Sequence, residues 1–143
     1  MQSEYEQLKL ENQLCFPLYA AGRKIVSRYT SYLKPLGITY TQYIVFMVLW
    51  AEDGIKVSDL CRKLYLDNGT VTPLLKKMEA EGYIKRVRES KDERVVTVRL
   101  TEKGWAMRES VKDIPMAVGS GVKLSEEDAV ELYRLLYRAL EVL

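Results

Sequence analysis

The chain has no histidine and only two cysteines, Cys15 and Cys61, among its 143 residues. Without an imidazole, Ser-His-Asp and Cys-His catalysis and the usual zinc sites are excluded together. Two thiols 46 positions apart make neither a metal cluster nor a disulfide framework. No metal or other cofactor is expected. Long apolar runs are missing too: nothing approaches the roughly 18 residues a membrane span needs, and the amino-terminal MQSEYEQLKLENQ is polar and acidic rather than a secretory signal. The expectation is a soluble, cytoplasmic, single domain over residues 1–143 with no membrane partner. Charge of one sign is scarce overall, at a net +2, but it is unevenly placed. From Lys56 to Arg99 there are eleven Lys/Arg against seven Asp/Glu, while the remainder carries eleven against thirteen. A basic excess confined to one segment is where a phosphate-binding face is expected.

That segment holds the most informative stretch, Asp67 to Gly82. Asp67-Asn68-Gly69-Thr70 are small polar residues suited to capping a helix. Val71, Leu74, Leu75 and Met78 then recur at helical spacing, and Gly82 ends the pattern. Asn68, Thr70, Thr72, Lys76 and Lys77 fall mostly off the apolar stripe. Such a helix is either an ordinary packing element or one that reads bases in a DNA major groove. Val57 to Leu64 reads as a short helix before it, making a helix-turn-helix. After Gly82, residues 83–88 alternate apolar and basic, a polar turn spans 89–94, and residues 95–100 return as a β-branched strand. The hairpin's tip and outer face carry Arg86, Arg88, Lys91 and Arg94, placed to enter a minor groove. A basic hairpin directly after a helix-turn-helix predicts a winged helix, and the agreement of the three elements favours DNA binding over simple packing.

The flanks are helical. Residues 14–36 form a long helix with a wide apolar face, which Pro17 either kinks or leaves to start near Cys15–Phe16. Residues 41–51 form a second helix capped by Thr39 or Thr41. Thr101 caps a fifth that runs into the Ala106–Val111 region and is broken by Gly119-Ser120-Gly121, and Ser125-Glu126-Glu127-Asp128 opens a last amphipathic helix. The expected fold is mainly α (α+β): a winged helix-turn-helix over 39–100, with extra helices at 8–36 and 101–143 forming a dimerisation domain. Their apolar faces need a partner, and the simplest is a second copy of the chain.

These residues resemble the MarR family of dimeric winged-helix regulators. The family's wing pattern stands here as Asp92-Glu93-Arg94 followed by Leu100-Thr101-Glu102-Lys103-Gly104. Within the family the resemblance is to the OhrR group of organic-hydroperoxide regulators, through Gln13-Leu14-Cys15-Phe16, Ile38-Thr39-Tyr40-Thr41-Gln42-Tyr43 and the run from Tyr65 to Lys76. It covers residues 11–104 closely and the C-terminal helices by pattern only. The resemblance implies a repressor, not an enzyme, that binds a palindromic double-stranded operator as a homodimer. By it, Asn68, Thr70 and Thr72 approach bases and phosphates, Arg94 enters the minor groove, and Asp67 and Asp92 orient that arginine. Cys15 is implied as the peroxide-sensing thiol, held by Tyr29 and Tyr40 with Tyr19 nearby. No cysteine follows Cys61. The chain therefore resembles the one-cysteine type, in which a low-molecular-weight thiol completes the oxidation.

The residues unaided leave Cys15 open between a small core hydrophobe and a reactive thiol. A helix start beside Pro17 offers free amides to an anion, and tyrosines at 19, 29, 32, 40 and 43 supply hydroxyl donors. Cys15 and Tyr29 stand 14 positions apart, which on a helix separates them by roughly 21 Å while aligning them within about 40°. They cannot touch within one helix, but two copies of it crossing antiparallel about the midpoint, Gly22, would bring them together. Cys61, between Leu60 and Arg62, reads as core. Other readings are a regulator released by a small phenolic or carboxylate ligand, and a broader virulence or stress regulator using the same cysteine. A thiol peroxidase would need a resolving partner and would leave the winged helix unexplained.

Overall fold

Four side chains start four of the helices. Thr39, Asp67, Thr101 and Ser125 accept the backbone N–H groups of Gln42, Thr70, Gly104 and Asp128, at 3.2, 2.8, 3.2 and 3.1 Å. Each satisfies a donor that has no partner inside its own helix. Gln42 also returns its side-chain oxygen to the N–H of Thr39, completing a capping box. The computed structural model describes residues 4–89 and 91–143, apart from the side chain of Glu93.

The elements run α1 (Cys15–Leu33), α2 (Tyr40–Ala51), β1 (Ile55–Lys56), α3 (Val57–Leu64), α4 (Asn68–Ala80), β2 (Ile84–Glu89), β3 (Asp92–Leu100), α5 (Glu102–Val111), α6 (Ile114–Ser120) and α7 (Glu126–Val142). Pro17 is the third residue of α1, inside the first turn, where a missing N–H breaks no helical bond. The helix therefore starts at Cys15 rather than being kinked there. Short 3₁₀ turns lie at Glu6–Leu8, Leu10–Asn12 and Lys34–Leu36.

The sheet is antiparallel in the order β1-β3-β2. Ile84 pairs with Leu100 and Arg86 with Val98, while Ile55 meets Val98 from the other side. β1 has two residues and was not expected from sequence. The hairpin is also tighter than the expected turn over 89–94: a bulge at Arg88/Glu89 brings Glu89 opposite Asp92, so β3 starts three residues before Val95. Ser90, in that turn, lies outside the described residues. Val45, Phe46 and Leu49 of α2, Leu60 of α3, Val71, Leu75 and Met78 of α4, and Ile84 and Val98 of the sheet form one buried core.

One expected break is wrong. The helix opened by Thr101 ends at Val111, within the expected region, but Gly119-Ser120-Gly121 is not what breaks it: a separate α6 follows, with Gly119 inside it. Pro115 lies in the first turn of α6, where its missing N–H is harmless, whereas within a continuous helix it would delete a bond. Ile114 and Val118 of α6 are buried, and α6 packs on α1.

Two helices carry apolar surface that the chain does not cover. α1 buries only Leu33, leaving Leu14, Phe16, Leu18, Tyr19, Ile25 and Tyr32 exposed. α7 buries nothing, although Leu132, Leu135, Leu136 and Leu140 recur on one side of it. No helix among the described residues is long and apolar enough to cross a membrane.

Candidate nucleic-acid interface and thiol site

Between α4, the start of α3 and the hairpin lies an open cleft of about 510 Å³. Asn68, Thr72 and Lys76 line it from α4, Arg86, Arg88 and Arg94 from the hairpin, and Lys56 and Ser58 from the approach to α3. Among the described residues five cations and no carboxylate line it, a composition suited to a phosphate backbone. Lys56 and Ser58 were not singled out from sequence. Their signal was local: a lysine and a hydroxyl at a helix start, next to free backbone amides.

The structure divides the expected DNA-binding residues. Thr70 and Lys77 are exposed but, by helical spacing, lie on a strip of α4 away from Asn68 and Thr72. Asp67 does not pair with the wing arginine in this free chain. It caps α4, and the Thr70 hydroxyl followed by the Thr70 N–H holds its carboxyl below the usual range. Asp92 contacts Arg94: its Oδ1 accepts the Arg94 backbone N–H at 3.0 Å and Nε–H at 3.4 Å, and the Arg94 side chain is 93% exposed. Lys91 and Arg88 are exposed on the hairpin. Arg86 is half-buried and bonded to Glu79 of α4.

Cys61 is buried, as expected, and its S–H donates to Asn68 Oδ1 at 3.3 Å. Burial, then the Asp67 carboxylate, pushes the Cys61 thiol up from its ordinary pKa, which keeps it protonated and poorly nucleophilic. Cys15 is exposed at the first residue of α1, where no side chain caps the helix. It is not a core residue of this chain. In the native protein a disulfide-exchange probe is expected to label Cys15 and to reach Cys61 only after denaturation. Rapid labelling of both thiols would contradict the burial of Cys61.

Tyr29, Tyr40 and Tyr43 form a triangle of rings, with centroids 5.2, 5.6 and 6.0 Å apart. Burial, followed by the neighbouring phenols, raises the Tyr40 and Tyr43 pKa values, so both hydroxyls stay protonated as donors. Tyr19 lies apart from this triangle, one turn beyond Cys15, and is 66% exposed. Tyr43 belongs to the cluster as fully as Tyr40 does.

A helix pair, a basic hairpin and a cationic cleft between them define a winged helix-turn-helix regulator. Residues 28–113 match the family described as transcriptional regulator SarA/Rot. The organic hydroperoxide resistance transcriptional regulator of Bacillus subtilis (strain 168) is 43% identical over 143 residues, covering 100% of this chain and 97% of that one. SarZ, an HTH-type transcriptional regulator of Staphylococcus saprophyticus, is 40% identical over 89% of this chain and 87% of its own. Reduced AbfR bound to DNA, from Staphylococcus epidermidis, superposes with a TM-score of 0.78 at 34% identity, covering 95% of this chain and 96% of that one. Disulfide-formed AbfR superposes at 0.67 and 33% identity, covering 97% and 98%. The chain belongs to the SarA/Rot family of MarR-like winged-helix transcriptional regulators.

Proposed function

We propose that the protein is a homodimeric repressor that binds a palindromic operator and releases it when an organic hydroperoxide oxidises Cys15. The observation that carries this reading is the exposure of Cys15 at the uncapped start of α1, on a helix whose apolar surface the chain leaves uncovered. The likeness to the Bacillus regulator of organic hydroperoxide resistance supports the choice of oxidant. The likeness to AbfR bound to DNA, equal for its reduced and overoxidised forms, exceeds that to its disulfide form and supports a DNA-competent conformation in the absence of a disulfide.

In the bound state α4 enters the major groove, presenting Asn68, Thr70, Thr72, Lys76 and Lys77, and Arg94 enters the minor groove under the control of Asp92. Two copies of α1 cross antiparallel at Gly22, bringing Cys15 of one subunit to Tyr29 and Tyr40 of the other. The Cys15 thiolate attacks a peroxide oxygen; an S–O bond forms, the O–O bond breaks, and the alkoxide takes a proton and leaves as an alcohol. Sulfur loses two electrons and becomes a sulfenic acid. A low-molecular-weight thiol then condenses with it, forming a mixed disulfide and releasing water. The enlarged group disturbs the tyrosine triangle, the subunits rotate, and the two reading helices lose the spacing of about 34 Å that one DNA turn demands.

A Cβ built on Gly22 meets nothing within 4 Å in the single chain. Gly22→Leu should therefore leave the winged core folded while weakening the dimer about tenfold or more in sedimentation equilibrium. Unchanged association would move the crossing elsewhere. The wider test is operator binding with and without an organic hydroperoxide, for the wild type and Cys15→Ser.

One further observation favours a second reading. An apolar cleft of about 600 Å³ lies beside Tyr40, lined by Val26, Thr30, Lys34, Ile38 and Thr39. It suits a small phenol or carboxylate that would release DNA with Cys15 uninvolved.

A further inference from the structure

We propose that Glu79 is a positioning residue for DNA recognition: it locks the wing to the reading helix through Arg86, and Arg86 is a strut rather than a phosphate contact. This rests on the DNA-binding reading above. Glu79 lies in the last turn of α4, and Arg86 is the third residue of β2. Because β2 is an edge strand, the N–H groups facing away from β3 have no strand partner. Glu79 takes one of them: its Oε2 accepts the Arg86 backbone N–H at 2.8 Å. Its other oxygen, Oε1, accepts Arg86 Nη2–H at 3.0 Å and Nε–H at 3.3 Å. One carboxylate thus holds both the backbone and the guanidinium of the wing's first turn outward from the body.

This pair differs from the other charged contacts of the interface. The Glu79 and Arg86 side chains are 36% and 27% exposed, whereas Arg94 beside Asp92 is 93% exposed. The Arg86 N–H and then its guanidinium hold the Glu79 carboxyl below its usual range, so it stays ionised and the clamp stays closed at neutral pH. The chain between the two residues turns sharply at Gly82, with φ of +84°, and the clamp closes that turn. Major-groove and minor-groove contacts are made together only if the angle between α4 and the hairpin is set beforehand. A hairpin free to swing would have to be ordered on binding, at a cost in affinity.

The two roles of Arg86 separate experimentally. A phosphate contact contributes to every DNA sequence and to the salt dependence, by about 0.9 in slope. A strut contributes only where both grooves must be met. Glu79→Gln loses the charged acceptor, and Arg86→Lys keeps the charge while losing the planar fork. Both variants are to be compared with wild type on a duplex from upstream of the protein's own gene and on a random-sequence duplex, across a salt series, with thermal melts alongside. The expected result is a loss of about tenfold on the gene fragment for each variant, with random-duplex affinity within about twofold and an unchanged salt slope. The Glu79→Ala/Arg86→Ala double variant should lose no more than the worse single one. If Arg86→Lys binds like wild type while Arg86→Ala lowers the salt slope by about one, Arg86 is a phosphate contact and the proposal is overturned. Wild-type affinity in a folded Glu79→Gln also overturns it. Should Glu79→Gln fail to fold, Arg86→Lys alone decides. Failure of the wild type to prefer the gene fragment would instead strike the DNA-binding reading itself.

Discussion

Replacing Cys15 by serine is expected to leave the protein on its operator when an organic hydroperoxide is added, while the wild type lets go. The size of the effect follows from what is lost. If oxidation disrupts the spacing of the two reading helices, the oxidised protein keeps only sequence-independent contacts, and affinity falls by about 10³-fold or more. Serine nearly preserves the shape of the side chain at the start of α1 but does not attack the peroxide. It should therefore bind DNA like wild type before oxidant and like itself after. Fluorescence anisotropy on a labelled operator at fixed salt reads both states. Release of both proteins would remove Cys15 from the mechanism. Retention of both would direct attention to the apolar cleft beside Tyr40 and to a ligand in place of an oxidant.

The second large effect concerns stability rather than signalling. A methyl group built on Gly104 would lie 2.3 Å from the Tyr83 carbonyl oxygen and 2.8 Å from Leu100 Cδ2. The leucine methyl can rotate away; the carbonyl cannot. Tyr83 O already accepts the Thr101 N–H at 3.0 Å and the Thr101 hydroxyl at 3.1 Å. Gly104 O in turn accepts the Trp50 indole N–H at 3.1 Å, so α5 is held from both sides. Gly104→Ala must push α5 off the sheet, and is expected to cost about 3 kcal/mol, lowering Tm by roughly 10 °C. Gly119→Ala is the control: a Cβ there meets nothing within 4 Å inside α6, and helix propensity alone should make it neutral or stabilising. A melting temperature for Gly104→Ala within a degree or two of wild type would show that this approach is not rigid. The glycine of the Leu-Thr-x-x-Gly pattern thus has a physical reason, which is the space it leaves for one carbonyl.

The elements that could be read from sequence are those whose ends are chemical. Thr39, Asp67, Thr101 and Ser125 marked helix starts because their side chains bond backbone three residues on, a purely local act. The hairpin was legible from its alternation, and the basic excess rightly pointed to the cleft between it and α4. What escaped depended on distant partners. β1 exists only because Ile55 and Lys56 meet Val98 and Thr97, and two residues carry no period of their own. The end of α5 near Val111 was legible, but α6 was not: its seven residues are too short for a period of their own, and Pro115 rather than the glycines at 119 and 121 marks where it starts. The Glu79–Arg86 clamp spans a turn, so no helical or strand spacing announces it, and Arg86 looked like one more cation on the wing. Cys15 was ambiguous for another reason: an apolar stripe records that a face is to be covered, not what covers it.

The bare surface of α7 has a consequence for when this helix can exist at all. An isolated helix of its length is only marginally ordered in water, and no residue of α7 is fully buried by the described part of the chain. Whatever covers its leucines therefore supplies its order as well, so folding of the last segment and capture of its cover are a single equilibrium. The stability of the protein then scales with its own abundance or that of its cover, and newly made chains pass through a stage in which this segment is open to proteases and chaperones before it is closed.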